Sequence, residues 1–515
     1  MNVFTPLDLA IIDENSEYLG VPRLLLMENA GRVVADVVKE NLRKIQGKKI
    51  VVFAGLGNNG GDGFVSARHL AGEGMEVLVI LVGKEENIET DEAKTNWHVL
   101  KNMRRHVKLV EVRSAEEIRD HEEEVLDADA VVDAIFGTGI KGKLREPYLS
   151  AIDLINRCKG LKVAIDVPSG LDPATGNVHE DAVKADLTVT LHGLKTGFKG
   201  KRTYTGKVIV ATIGIPPEAY EFVGPGDVRH FLKHRDAYSK KGDFGRILIV
   251  GGGKDYSGAP ALVALAALRC GADLAVVAAP KSVAAVIRSF SPNIIVKKLN
   301  YDILTSKDLP DLLPLVDHCT SIVAGPGLGL DEETINGVVQ FMEDAAKKKP
   351  IVVDADALKA LSKMPERLAG AKAVFTPHAG EFSILMGYEM APPQALNNRI
   401  TQVQDAAKKA GVTILLKGPE DIISDGERWK INTTHNPGMT VGGTGDVLSG
   451  VVATFLSWGV EPFRSACAGA FVNGLAGNLA VKERGYHIIA TDVIEEIPNA
   501  LRRFEKVNLG TYHLK

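Results

Sequence analysis

The chain has 515 residues, more than one ordinary core accommodates, so two or three domains are expected. Hydrophobic residues make up 45% and charged residues 24%, a balance that excludes a disordered chain and fits a soluble globular one. Lys and Arg number 61 against 65 Asp and Glu, a net charge of −4, so no global field favours nucleic acid and any anion must be bound locally. The four cysteines, Cys158, Cys270, Cys319 and Cys467, lie far apart without metal-ligand spacing and read as buried small hydrophobes of a reducing compartment. The first residues, MNVFTPLDLAIIDENSE, carry acids and no early basic residue, unlike a secretory signal. The longest apolar run, Ala259 to Leu268, is too short to span a bilayer. A cytoplasmic protein without nucleic-acid or membrane partners is expected.

In chain order, Pro6 to Tyr18 and Leu24 to Asn41 read as helices. The strand KKIVVFAG follows, then LGNNGGDGFVSARHL, a glycine-rich turn that opens a helix, then the strand MEVLVILVG. Gly55-x-Gly57-x-x-Gly60 matches the dinucleotide fingerprint, but Asn58, Asn59 and Asp62 fill the turn with side-chain oxygens. No acid closes the second strand at the usual distance, so this turn reads as a polar site of a different kind.

Two later strands end in similar chemistry. DADAVVDAIFGTGIKGKL places Asp133 at a strand end, followed by Gly137, Gly139 and Gly142 with Lys141 and Lys143 beside them. LKVAIDVPSGLDPATG does the same with Asp166, then Pro168 and Ser169. Ligands of open α/β sheets sit outside the carboxyl ends of strands, so Asn59, Asp133 and Asp166 should converge on one cleft. Asn, Asp and Ser oxygens without Cys or His suit a hard cation. The GTGIKGK turn offers amides and two cations to a phosphate.

GNNGGDG, DAIFGTG, AIDVPSGLD and the earlier MENAG together resemble the NAD(P)H-hydrate epimerase domain, over about residues 1–225 and in the same order. The resemblance implies a Rossmann-like three-layer αβα fold. It further implies that Asn58, Asn59, Gly60, Gly61 and Asp62, with Gly137, Thr138, Gly139, Ile140, Lys141, Gly142 and Lys143, bind the hydrated nucleotide. Asn59, Asp133 and Ser169 would hold a potassium ion, and Asp166 would contact the reacting ring. The family reaction interconverts the epimers at C6 of hydrated NADH or NADPH, which needs a group that moves protons at a hemiaminal carbon, a role open to Asp166.

Past the strand ending at Gly214, Pro216-Pro217 and Gly224-Pro225-Gly226 mark a linker near residues 215–240, and the second domain is taken as 226–515. From RILIVGGG onward the strands LAVVA, SIVAG, PIVVD, AVFT and VTILL alternate with helical stretches, and glycine-rich or acidic turns follow them. No GxxxxGK[ST] occurs, which excludes a P-loop enzyme. His378 stands at a strand end in TPHAGE, and Lys417 follows the apolar run VTILL, where its ammonium would emerge at a cleft.

The stretch NPGMTVGGTGDVLSG gathers Gly438, Gly442, Gly443 and Gly445 ahead of Asp446, and helical periodicity begins behind it. Bare amides at a helix start make an anion site, and a carboxylate there can take a proton from a hydroxyl. The plain alternative is an N-cap aspartate after a flexible loop.

AGPGLG, DADAL, TPHAGE, LLKGPEDII and this glycine-rich stretch together resemble the NAD(P)H-hydrate dehydratase domain, of ribokinase-like α/β fold, over about residues 230–507. The resemblance implies that Lys417, Gly418, Pro419, Glu420 and Asp421 grip the adenine nucleotide, with Asn436, Pro437, Gly438, Met439, Thr440, Val441, Gly442, Gly443, Thr444 and Gly445. Gly327, His378 and Asp446 would contact the hydrate, with Asp446 as the base. The partners implied are hydrated NADH or NADPH and ADP or ATP with Mg²⁺, ADP being the rule in bacteria and archaea; a homo-oligomer is expected. Two other readings compete. One is an ordinary ribokinase-like kinase of a small alcohol such as a vitamin precursor, for which an epimerase partner has no use. The other makes the N-terminal half a protein- or RNA-binding module, against which the balanced charge and Asn59, Asp133 and Asp166 argue.

Overall fold

The computed structural model describes residues 3–139, 143–178 and 180–505. The chain divides into two compact units, Met1–Ala219 and Tyr220–Lys515. The division falls a few residues before the sequence boundary at 225, because Val223 N donates to Ile431 O at 2.9 Å and so ties this stretch to the second unit.

The first unit is built on seven strands in the spatial order Val107–Val112, Glu76–Val82, Lys49–Ala54, Ala130–Ala134, Leu161–Ile165, Leu187–Leu191 and Lys207–Ala211. Every neighbouring pair is parallel. KIVVFA and EVLVILV are buried on both faces past their first residue, as near-continuous β-branched runs in a covered parallel sheet should be. The helices Arg23–Asn41, Asn58–Gly72 and Asp91–Lys101 pack on one face, and Tyr148–Arg157 with two short helices packs on the other. Three αβα layers result. The order reverses between Lys49–Ala54 and Ala130–Ala134, which opens a crevice at their carboxyl ends. A two-residue strand, Val3–Phe4, pairs in parallel with Leu194–Lys195 and delivers the helix Pro6–Tyr18.

The second unit carries nine strands in the order Ile295–Lys298, Leu274–Ala279, Arg246–Val250, Ser321–Ala324, Ile351–Val353, Ala373–Phe375, Thr413–Leu416, Asp421–Ser424 and Trp429–Asn432. The first seven run parallel and the last two form an antiparallel edge. Gly258–Cys270, Thr444–Ser457, Pro462–Arg484 and Ala490–Leu501 cover one face; Leu309–Asp317, Glu332–Ala345 and Leu396–Ala410 cover the other. All four cysteines are buried and unbridged. Among the described residues no helix is long and apolar enough to cross a membrane.

Candidate active sites of the two units

In the first unit the parallel register brings three turns to one edge of the sheet. The turn after Lys49–Ala54 is tight: a Cβ on Gly55 would sit 2.0 Å from Ile135 O, and one on Gly60 would sit 2.0 Å from Gly55 O. Only glycine fits so close a backbone approach. Helix Asn58–Gly72 then starts with Gly57 as its N-cap and turns Asn59 and Asp62 inward, 8% and 7% exposed. Asn58 is exposed at that helix start, whereas Gly60 and Gly61 are buried. Asp133, 1% exposed, accepts from Ser169 Oγ at 2.6 Å and from Ser169 N at 2.7 Å. Ser169 Oγ also accepts from Phe136 N at 2.9 Å, and the Gly137 Cβ position lies 3.2 Å from Asn59 Oδ1. Asn59, Asp133 and Ser169 are therefore brought together, and Asn59 Nδ2 is buried without a partner among the described residues. Burial pushes the Asp133 carboxyl up to about 6 against the hydrogen bonds of Ser169.

Asp166 occupies the left-handed region at φ +63, an uncommon place for a residue with a Cβ. Its Oδ1 lies 2.5 Å from Lys195 Nζ and accepts from Leu191 N at 3.0 Å. The Lys195 ammonium donates its other protons to Leu191 O (2.9 Å) and Gly193 O (3.2 Å), so it is fully satisfied inside the protein. Among the described residues every partner of the Asp166 carboxyl falls on Oδ1, which leaves Oδ2 for a ligand. In the turn after Ala130–Ala134, Gly137 and Thr138 are half-buried and Gly139 and Lys143 are exposed, whereas Ile140, Lys141 and Gly142 lie outside the described residues.

In the second unit, helix Thr444–Ser457 begins at the glycine stretch with Gly443 at φ +94 as its N-cap. Asp446 is thus the third helical residue and does not cap the helix. Among the described residues it makes no hydrogen bond or ion pair, and the first helical N–H groups around it lack intrahelical acceptors. Burial, then repulsion from Asp354, raises its carboxyl to about 7 against the pull of Lys417. The carboxyl therefore titrates near neutrality and not in the ordinary carboxylate range.

Lys417 Nζ meets Asp354 Oδ1 at 3.0 Å, and a Cβ on Gly445 would stand 3.2 Å from the same nitrogen. Burial opposes the ammonium's charge, but Asp354 and Glu381 outweigh it and raise its pKa. Loops 417–421 and 436–445 are thereby neighbours. In the first, Asp421 accepts from Gly418 N (3.1 Å) and Asn432 Nδ2 (3.0 Å), so its carboxylate shapes the loop around Pro419 and Glu420. In the second, Asn436 Oδ1 accepts from Gly438 N at 3.0 Å, and Thr444 Oγ1 donates to Met439 O and Val441 O at 3.0 and 3.2 Å. These bonds leave Thr440 and Gly442 at the surface. His378 caps helix Ala379–Met386: its Nδ1 accepts from Gly380 N and Glu381 N, which leaves Nε2 carrying the proton at an exposed edge. Gly327, at φ +66, packs against Tyr256 beside the Asp354 turn.

Comparison with known proteins matches residues 247–499 to the NAD(P)H-hydrate dehydratase family and residues 23–197 to the family described as YjeF-related protein N-terminus. A bifunctional NAD(P)H-hydrate repair enzyme of Pyrobaculum aerophilum is 48% identical over 98% of this chain and 99% of its own length. One from Methanothermobacter thermautotrophicus is 44% identical, over 97% and 95%. The chain belongs to the bifunctional NAD(P)H-hydrate repair enzyme family. A solved structure, the Bacillus subtilis ADP/ATP-dependent NAD(P)H-hydrate dehydratase co-crystallised with ATP and Mg²⁺, is 25% identical, with a TM-score of 0.45 covering 56% of this chain and 99% of that one. Against the repair-enzyme plan, sequence reasoning passes over Lys195, Asp354, Glu381 and Ser449 as site residues. Asp354 has a signal in its strand-end DADAL turn. Ser449 Oγ, which holds Asp354 Oδ2 at 2.7 Å, lies one helical turn after Asp446, and that spacing alone is its signal.

Proposed function

We propose that this chain repairs hydrated NADH and NADPH: the first unit interconverts the C6 epimers, and the second dehydrates the S epimer at the expense of ADP or ATP. The observation that carries the reading is the unpartnered Asp446 carboxyl at a helix start, beside a Lys417 ammonium held by Asp354. Hydroxide is a poor leaving group. Asp446 takes the proton of the C6 hydroxyl as its oxygen attacks the terminal phosphoryl of the Mg²⁺ nucleotide. Lys417 and the free amides at Thr444 and Gly445 take up charge on the transferring group. Phosphate then leaves C6, and loss of a C5 proton restores the dihydronicotinamide. Loops 417–421 and 436–445 hold the nucleotide in this scheme, and Gly327 and His378 face the hydrate.

In the first unit, Asn58 to Asp62 and Gly137 to Lys143 bind the hydrate, and Asp166 Oδ2 is the proton acceptor. The family's potassium ion fits the oxygens gathered at Asn59, Asp133 and Ser169: they are hard donors, and Asn59 Oδ1 is turned toward the Gly137 turn. A bound potassium ion would add positive charge to the turn that meets the substrate phosphates.

The test mixes the protein with both epimers of hydrated NADH, nucleotide, Mg²⁺ and K⁺, and follows recovery of the dihydronicotinamide absorbance. Full recovery supports two working units. Phosphorylation of a small alcohol without recovery would replace this reading with a kinase.

A further inference from the structure

Helix Leu396–Ala410 turns Val403, Ala406, Ala407 and Ala410 inward, and Arg399 heads the same stripe one helical turn before Val403. A charge stands there in an otherwise apolar row, and it is 3% exposed. The turn at Gly411, φ +65, folds strand Thr413–Leu416 back along this helix. The start of the helix therefore lies at the carboxyl end of that strand, where loop 417–421 emerges. A Cβ on Gly418 would stand 3.0 Å from Arg399 Nη2 and 3.2 Å from Glu420 O, so the guanidinium and the loop meet at this glycine.

A guanidinium keeps its proton, and once removed from water it needs acceptors or an anion. Among the described residues that of Arg399 makes no hydrogen bond or ion pair, and Glu420 acts on it only through space. An apolar side chain of similar volume would fill this place in the stripe without the cost of burying a charge. The cation is thus set for a ligand, at the loop that holds the nucleotide in the scheme above.

We propose that Arg399 binds the phosphate next to the transferred one, α in ADP or β in ATP; the proposal rests on the nucleotide reading above. Lys417, clamped on Asp354 beside Gly445, serves the transferring phosphoryl group. Gly418 is the next residue along the loop, and the fork of Arg399 meets it from the helix. The Gly418 amide already donates to Asp421 Oδ1 at 3.1 Å, so a phosphate at this glycine needs its donors from a side chain. A guanidinium supplies two parallel N–H groups to one phosphate. That phosphate stays on the nucleotide after transfer, so Arg399 grips substrate and product alike. Its contribution is to affinity and not to the chemical step.

The test uses the full chain and whichever nucleotide drives dehydration of the S epimer. The product, AMP from ADP or ADP from ATP, is compared as an inhibitor with the compound one phosphate shorter, adenosine or AMP. Arg399→Met keeps the packing of the stem without the fork. It should weaken the product by ~10–10² and raise the nucleotide KM to a similar degree, with kcat little changed and the shorter compound unaffected. Product should raise the Tm of the wild type, whereas Arg399→Met should lose most of that gain and keep its ligand-free Tm. Arg399→Gln, a polar stem of similar reach, repeats the comparison independently of how methionine packs. Equal weakening of both inhibitors marks a role in loop shape only and overturns the proposal, as does weakening of neither. A wild-type chain that neither dehydrates the S epimer nor gains Tm with ADP or ATP overturns the nucleotide reading itself.

Discussion

Lys417 Nζ and Asp354 Oδ1 lie 3.0 Å apart, and Ser449 Oγ holds the other oxygen of that carboxylate at 2.7 Å. The ammonium is thereby fixed beside Gly445, where a transferring phosphoryl group would sit. Lys417→Met removes the cation and leaves Asp354 and Asp446 facing each other unscreened. Nucleotide-dependent dehydration should fall by ~10²–10³, the cost of losing one preorganised charge donor. Lys417→Arg should not restore it, because a planar guanidinium does not fit where a compact ammonium is clamped. Steady-state rates with the S epimer read both.

Asp446 titrates near neutrality, so its kinetic signature is an acid limb. The rate of dehydration should rise with pH up to about 7 and then level, because the base acts only when deprotonated. Asp446→Asn should lower the rate by at least ~10² and abolish the limb, while R and S exchange continues in the other unit. A variant that keeps dehydrating at the wild-type rate would remove Asp446 from the mechanism.

The elements that sequence reveals and those it hides divide on physical grounds. Doubly buried strands such as KIVVFA and EVLVILV announce themselves by unbroken β-branched runs. The edge strands Val107–Val112 and Ile295–Lys298 are half solvated and mixed in composition, and they leave no such mark. The glycine turns are legible because backbone contact at Gly55 and Gly60 tolerates no other residue. Asp446 is legible too, but its near-neutral titration comes first from burial and then from Asp354, far away in sequence. Lys195 sits in the unremarkable run HGLKTG, and only the fold shows that its ammonium is buried on Asp166.

Asp446 should also trade stability for function. Its carboxyl rises from 3.8 to about 7 on folding, so the fold favours the protonated form. That preference supports the native state below pH 4 and is lost as pH rises through 7, where the native state must carry an unfavourable charge. Asp446→Asn, always neutral, should therefore raise Tm at pH 8 and change it little at pH 4. The gain is at most ~4 kcal/mol, from about three units at 1.36 kcal/mol each. Calorimetry at the two pH values checks the sign, and a Tm that drops at pH 8 would contradict it.

Lys195 and Asp166 form a pair whose side chains are 1% and 11% exposed. Lys195→Met strands a buried carboxylate and should destabilise the first unit by ~3–5 kcal/mol. The double variant Lys195→Met with Asp166→Asn removes both charges and should recover part of that loss, which is the mark of an uncompensated charge and not of lost packing. Denaturant unfolding of the two variants, followed side by side, separates these cases.

Ser169 Oγ donates to Asp133 at 2.6 Å and accepts from Phe136 N at 2.9 Å, so one hydroxyl ties two strand-end turns. Ser169→Ala leaves the Phe136 amide and one Asp133 oxygen without this partner and takes an oxygen from the candidate potassium site. Epimer exchange should then need more potassium to reach half its maximal rate, whereas dehydration of the S epimer should keep its wild-type potassium response. Asn59→Ala should shift the same curve, because its amide oxygen faces the same turn at Gly137. Titrating K⁺ against exchange rate, with Na⁺ holding ionic strength constant, checks this. Unchanged curves in both variants would place the ion elsewhere.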